Sequence, residues 1–364
     1  MPDPYIHIAA PLSLYSGKTR AYLAWKGIPH REVAVSPKLY KQKIIPAAGT
    51  PIIPVLETPD GEIWQDTTEI IDRLEQRFPE PSIYPTGPRQ HLAALLLELF
   101  GDEWLLIPAM HYRWAYNVPW VFGEFGRIAL PWAPAFVRRV IGERISRKFR
   151  GFVPMLGITE ATIPAIERAY EAVLADLDAH FADHDHLFGA RPSIGDYGLI
   201  GPLYAHLYRD PASGRLMKDK APNVARWVER VEFPQSPKTG DFLPDDAVPD
   251  TLLPILRRQM REQIPVLQDT ALKLAAWAHA HPDAERIPRT VGPHGFRIDG
   301  ATGERATIPY SLWMLQRPLD FYHSLSGAAK AAADALLDQV DGAVFRDFRL
   351  PQRVARRNNR LVRG

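Results

Sequence analysis

The chain has 364 residues, 46% hydrophobic and 24% charged, an ordinary soluble composition with room for two or three domains. A net charge of +2 gives no global field that would select nucleic acid or an anionic membrane. The absence of cysteine excludes disulfides, thiolate metal sites and a protein thiol nucleophile. No charged-then-apolar leader occupies Met1–Leu12, and Glu98, Asp102 and Glu103 interrupt the apolar Leu92–Ile107, so a cytoplasmic protein without a membrane span is expected.

Taken in order, Tyr5–Ala10 alternates and is β-branched, which predicts a strand. The turn Pro11–Gly17 leads into a helix over Lys18–Gly27, and His30–Val35 is a second short strand. Pro51-Ile52-Ile53-Pro54-Val55-Leu56 is a β-branched run with proline at the strand start, where a missing N–H is tolerated. Thr58-Pro59-Asp60-Gly61 is a turn, Glu62–Gln65 its partner strand, and Asp66-Thr67-Thr68 opens a helix over Glu69–Phe78, with Asp66 or Thr67 as the N-cap. The order β-α-β-loop-β-β-α describes a small thioredoxin-like α/β domain over residues 1–87.

Residues 88–232 read as an all-α domain. Arg89–Met110 is one long helical pattern, and Tyr170, Leu174, Leu177 and Phe181 mark another amphipathic helix. Ser193-Ile194-Gly195-Asp196 is a capping-box pattern before Tyr197–Tyr208, which gives Asp196 a structural role. His180, His184 and His186 gather with Asp183 and Asp185 near a helix end, but without inward-facing ligand spacing no metal is expected.

The first domain resembles the N-terminal domain of the cytosolic glutathione S-transferase superfamily. Four pieces carry the resemblance in order: Ser13–Arg20 leading into Leu23 and Gly27-Ile28; Ile53-Pro54-Val55-Leu56; Asp66-Thr67 before Glu69-Ile70-Ile71; and Phe78-Pro79 before Tyr84-Pro85. It extends into the second domain through Leu187-Phe188-Gly189 and Pro192–Tyr197. The resemblance implies glutathione as co-substrate, a cis Pro54, Ile53 pairing with the cysteinyl backbone, and Asp66 and Thr67 holding the γ-glutamyl group. A helix N-terminus suits a carboxylate, and Asp66 suits an ammonium. Where the family often has Lys or Arg before this motif the chain has Ile52, leaving Lys41 or Lys43 to meet the glycyl carboxylate.

A glutathione thiol needs a hydroxyl donor and a helix N-terminus to ionise near neutral pH. Ser13 falls where serine-type members carry their hydroxyl; Tyr15 and Ser16 are the alternatives on the same turn, and all three could instead only cap the helix. The aromatic- and Arg-rich stretch Trp104–Ile158 reads equally as an acceptor pocket, with Met110, Arg113, Trp114 and Asn117 facing Ser13, or as helix core or dimer surface. The expected function is a glutathione transferase-like enzyme acting on an apolar or aromatic electrophile. It is expected as a homodimer with no nucleic-acid partner. An isomerase or ether-cleaving variant fits the same architecture, and a non-catalytic interaction protein of the same fold is the alternative.

Ordinary family members end near residue 232, whereas this chain continues over 233–364. Phe233–Pro249 reads as a linker, Thr251–Gln263 and Val266–Ala280 as helices kinked at Pro265, His294–Ile308 as a hairpin, and Pro318–Val340 as a further helix. The Arg-rich end, Arg346–Arg363, reads as an interaction or dimer arm, and the extension could lid the active site.

Overall fold

The computed structural model describes residues 3–235 and 238–364. Strands β1 (Tyr5–Ala9), β2 (His30–Ala34), β3 (Val55–Glu57) and β4 (Ile63–Gln65) form one sheet in the order β2-β1-β3-β4. β1 pairs parallel with β2 and antiparallel with β3, and β3 pairs antiparallel with β4. Helix α1 (Leu14–Trp25) supplies the parallel crossover, and α2 (Thr67–Arg77) follows β4. The register Ile8–Val55 and Val55–Gln65 has a direct consequence. The turn leaving β1, the loop entering β3 and the start of α2 all lie at the same end of the sheet.

The expected long helix over Arg89–Met110 is two helices, α3 (Pro88–Glu103) and α4 (Leu106–Tyr116), broken at Trp104-Leu105. Helices α5 (Val118–Ala129) and α6 (Ala135–Arg150) form a hairpin, followed by α7 (Ile163–Asp183), α8 (Ile194–Pro202), α9 (Pro211–Lys220) and α10 (Pro222–Glu232). α3 and α8 cross backbone to backbone: a Cβ on Gly101 would stand 2.4 Å from the Gly198 carbonyl. The capping box is made, with Asp196 Oδ2 accepting from the Ser193 backbone and hydroxyl, both at 2.8 Å. Its other oxygen accepts from Leu187 N and Trp227 Nε1, so Asp196 pins three segments inside the core. His180 is likewise internal, sharing its ring nitrogens with the Thr251 hydroxyl and the His186 carbonyl, and burial pulls its pKa down to about 4.

Part of the expected linker packs on this domain: Leu243 N donates to Phe188 O, and Ala190 N to Asp241 O, while Ser236 and Pro237 lie outside the described residues. At Pro265 the helical run changes type. Helices α11 (Leu253–Arg258) and α12 (Ile264–Ala280) are joined through a π-helical turn, Gln259–Gln263, which absorbs the missing proline N–H. The expected hairpin is present as β5 (Pro293–Ile298) and β6 (Ala301–Ala306). The helix expected over Pro318–Val340 is instead α13 (Tyr310–Ser324), with Pro318 inside it, and α14 (Gly327–Gln339), divided at Leu325-Ser326. The Arg-rich end is not a free arm. It is a hairpin, β7 (Val354–Arg357) and β8 (Arg360–Arg363), turning through Asn358 and Asn359 at positive φ. Gln316 of α13 holds it by accepting from Val354 N (2.8 Å) and donating to Val354 O (2.9 Å). No helix among the described residues is long and apolar enough to cross a membrane.

Candidate functional site

Three loops converge at the end of the sheet where β1 finishes. The first carries Ser13, the N-cap of α1, whose Oγ accepts from Ser16 N at 3.3 Å. Its own hydroxyl proton has no acceptor among the described residues, and the side chain is only half-buried. Ser16 is fully buried, its Oγ accepting from Ala10 N. Tyr15 donates to the Asp102 carbonyl, and burial together with Glu103 and Asp102 raises its pKa well above 10. Of the three hydroxyls on this turn, Ser13 alone has both an uncommitted proton and exposure.

The second loop enters β3 through a cis Ile53–Pro54 bond. Neither the N–H nor the C=O of Ile53 has a partner among the described residues. The third is the start of α2. Asp66 caps it, Oδ1 accepting from Thr68 N (3.1 Å) and Glu69 N (3.4 Å), and its backbone sits at φ +83°, a sparsely populated region for a residue with a Cβ. Asp66 and Thr67 are both buried.

The extension reaches Asp66. Tyr310, at the start of α13, donates its hydroxyl to Asp66 Oδ2, and the contact raises the Tyr310 pKa further beyond what burial does. Arg356 of β7 stands 3.7 Å from the same oxygen and binds Glu69 and Gln65. Beneath them lies a buried charged layer. Lys18 Nζ meets Glu98 (2.7 Å), Asp102 (2.6 Å) and the Thr68 hydroxyl (2.9 Å), joining α1, α2 and α3. Arg317 of α13 completes it, binding Asp72, Glu98 (3.2 Å) and Tyr84 (2.8 Å).

With two cations beside it Glu98 is held below the usual carboxylate range against its burial. Asp102, buried and next to Glu98, is pushed up to about 7 despite Lys18. Glu103 makes no hydrogen bond or ion pair among the described residues; burial and the neighbouring Asp102 raise it to about 8. Facing it, Arg305 is buried without a carboxylate within ion-pair distance, lowered to about 10, and lies over Trp104 and Phe296.

The expected acceptor residues are placed differently from Ser13's uncommitted hydroxyl. Arg113 is buried in a two-bond pair with Asp210 and donates to Leu12 O (2.7 Å) and Ala205 O. It therefore fixes the residue before Ser13 rather than offering a free guanidinium. Asn117 spends its amide on Tyr112 O and Ala212 N. Met110 and Trp114 are buried in the main core, Trp114 Nε1 without a partner among the described residues. Lys43 is tied to Glu57. A cleft of ≈ 730 Å³ opens beside Gly49, lined also by Pro46 and, from the extension, Arg286, Arg357 and Arg360. Ser13 does not line it, and Arg360 reaches the Gly49 carbonyl at 3.3 Å.

Sequence reasoning missed Tyr310, Arg356, Arg317 and Arg305 altogether. The signal for their partners was present: Glu98, Asp102 and Glu103 interrupt an otherwise apolar helix face, and charges there require counter-charges.

Two family models match the chain: "Glutathione S-transferase, N-terminal domain" over residues 8–82 and "Glutathione S-transferase, C-terminal domain" over residues 160–230. Similar solved structures include a glutathione S-transferase from Methylobacterium radiotolerans in complex with glutathione sulfonate. That likeness is 23% identity, 68% of this chain, 100% of that one, TM-score 0.40. A GST-like protein from Pseudomonas syringae shares 22% identity over 68% of this chain and 77% of its own, TM-score 0.44. A beta-etherase from Sphingobium sp. strain SYK-6 shares 18% over 64% and 96%, TM-score 0.47. No curated protein matches the chain.

Proposed function

Since the chain belongs to the cytosolic glutathione S-transferase superfamily, with both domains in order, we propose that it is a glutathione transferase-like enzyme in which the Ser13 hydroxyl stabilises a glutathione thiolate. The supporting observation is the convergence of three loops at one end of the sheet. There an uncommitted Ser13 proton, the unpartnered Ile53 backbone and the Asp66-Thr67 helix start share one edge. In this reading Ile53 pairs with the cysteinyl backbone. Thr67, with its N–H and hydroxyl, takes the γ-glutamyl carboxylate at the positive end of α2, whose next N–H groups Asp66 already caps, and Asp66 takes the ammonium. Arg360, beside Gly49, supplies the glycyl carboxylate partner that Ile52 does not and that Lys43, held by Glu57, does not. The thiol proton leaves to solvent. The sulfur lone pair then attacks the electrophilic carbon of an apolar or aromatic acceptor, whose leaving group departs with the bonding pair. An isomerisation or ether cleavage uses the same thiolate. A homodimer and the division at residues 87 and 232 belong to the same proposal.

One observation favours the second reading, a non-catalytic protein of this fold: Tyr310 and Arg356 already engage the Asp66 carboxylate. Arg356 brings the positive charge that the γ-glutamyl ammonium would bring. Calorimetry of glutathione with the wild-type protein and with Arg356→Ala separates the cases. The enzyme reading expects saturable binding to the wild type. Binding only to the variant would mean that the extension holds the seat closed, and binding to neither would leave the interaction protein standing.

A further inference from the structure

The hairpin of α5 and α6 projects the three most exposed large apolar side chains among the described residues. Trp132 is 81% exposed, Phe136 73% and Val140 64%, spaced by four residues from the tip along α6. Single exposed apolar residues are ordinary, whereas a contiguous aromatic tip marks an interaction surface. The tip is rigidly presented. A Cβ on Gly126 would fall 1.8 Å from Arg138 O, and one on Gly142 1.7 Å from Phe122 O, so the two backbones touch. Val137 and Ile141 of α6 are half-buried, whereas Phe136 and Val140 are turned outward. Phe125 stacks on Phe149 at 5.3 Å to close the base of the hairpin. Ile128, just before the tip, packs with Ile53 on the second hydrophobic cluster of the N-terminal domain, which sets the tip beside the convergent loops.

Charge identifies the occupant. Within Ala135–Arg150, Arg138, Arg139, Arg144, Arg147, Lys148 and Arg150 face one carboxylate, Glu143, itself paired with Arg147 at 3.6 Å. The whole chain carries only +2, so the cationic excess of this helix is local and is balanced elsewhere in the molecule. From the tip along α6 Trp132 and Phe136 come first, Arg138 and Arg139 follow within one turn, and beyond Val140 come Arg144, Arg147 and Lys148, at a rise of about 1.5 Å per residue. An aromatic tip entering about 5–10 Å into the interface would therefore leave the guanidinium groups at the level of the lipid phosphates. A second copy packed here about a two-fold axis would instead bring two cationic helices together.

We propose that the α5–α6 hairpin docks the protein on an anionic bilayer surface, with Trp132 and Phe136 in the headgroup region and the α6 cations on lipid phosphates. The test is co-flotation of the full-length protein with vesicles of phosphatidylglycerol and phosphatidylcholine, against vesicles of phosphatidylcholine alone. The wild type is expected to float with the anionic vesicles, less so as salt rises, and about tenfold more weakly with the zwitterionic ones. Trp132→Ser combined with Phe136→Ser, and separately Arg144→Glu combined with Arg147→Glu, should each weaken flotation by about tenfold or more. Their circular-dichroism melts and sedimentation coefficients should match the wild type, because these side chains are exposed. Failure of the wild type to float, or flotation of the Ser variant equal to the wild type, would overturn the proposal. A wild-type dimer that becomes monomeric in the Ser variant would also overturn it, assigning the tip to a second copy.

Discussion

Two regions stand outside the segments that match the family domains, and they are built oppositely. The extension from Asp250 onward turns its polar groups inward: Arg317, Tyr310 and Arg356 meet carboxylates of α2 and α3 in a buried layer. The α5–α6 hairpin turns apolar groups outward and leaves most of its cations without carboxylate partners among the described residues. Buried charges are costly unless each is matched, so the extension is fastened in one position and forms part of the wall around the convergent loops. Exposed aromatics contribute little to folding, so the hairpin is free to serve something outside the molecule. The contrast separates what completes the site from what the surface offers.

The largest expected effect breaks the inward side of that comparison. Arg317→Ala removes the cation that Asp72 and Glu98 share. Removing one partner of a fully buried pair costs about 3–5 kcal/mol; here Lys18 still meets Glu98 and Asp72 is partly exposed, so the loss is expected toward about 2–3 kcal/mol, read as a lower urea midpoint. A loss below about 1 kcal/mol would show that the ionic layer does not fasten the extension.

Ser13→Ala asks whether the site itself resides on the N-terminal loops that the extension covers. Removal of a hydroxyl donor to a charged sulfur should raise the bound thiol pKa by about one to two units, while glutathione affinity changes little. Thiolate absorbance of bound glutathione against pH measures both. A shift seen with Tyr15→Phe or Ser16→Ala and not with Ser13→Ala would move the chemistry to another hydroxyl of the turn.

Glu103→Gln probes the layer most gently. Glu103 has its folded pKa raised to about 8, so between roughly pH 4.5 and 8 the native state holds a proton that the unfolded state has released. Stability from this group is therefore fully present below about pH 4.5 and is lost as pH rises through 8. The Gln variant should lose that part of the slope, melting closer to or above the wild type at pH 8 than at pH 5. Parallel melting curves across this range would place Glu103 in water rather than in the layer.

Much of the frame was legible because its signals are local. Proline at a strand start, the Thr58–Gly61 turn, the Asp66 cap and the Ser193–Asp196 capping box each act within a few residues, and their order specified an α/β domain followed by a helical one. Breaks inside long apolar patterns were not legible. Periodicity continues through Trp104-Leu105 although the helix does not, and Tyr310 opens a helix that the pattern starts at Pro318.

By itself, then, the sequence determined the thioredoxin-like order, the absence of a protein thiol and the turn on which Ser13 sits. The tertiary structure alone decided who meets Asp66. Tyr310 is 244 residues away and Arg356 still further, and no periodicity links residues at that separation. Arg346–Arg363 read as an interaction or dimer arm for the same reason: the carboxylates and carbonyls that hold its Arg356 and Arg360 lie on α2 and beside Gly49, so the match exists only once the chain has folded back.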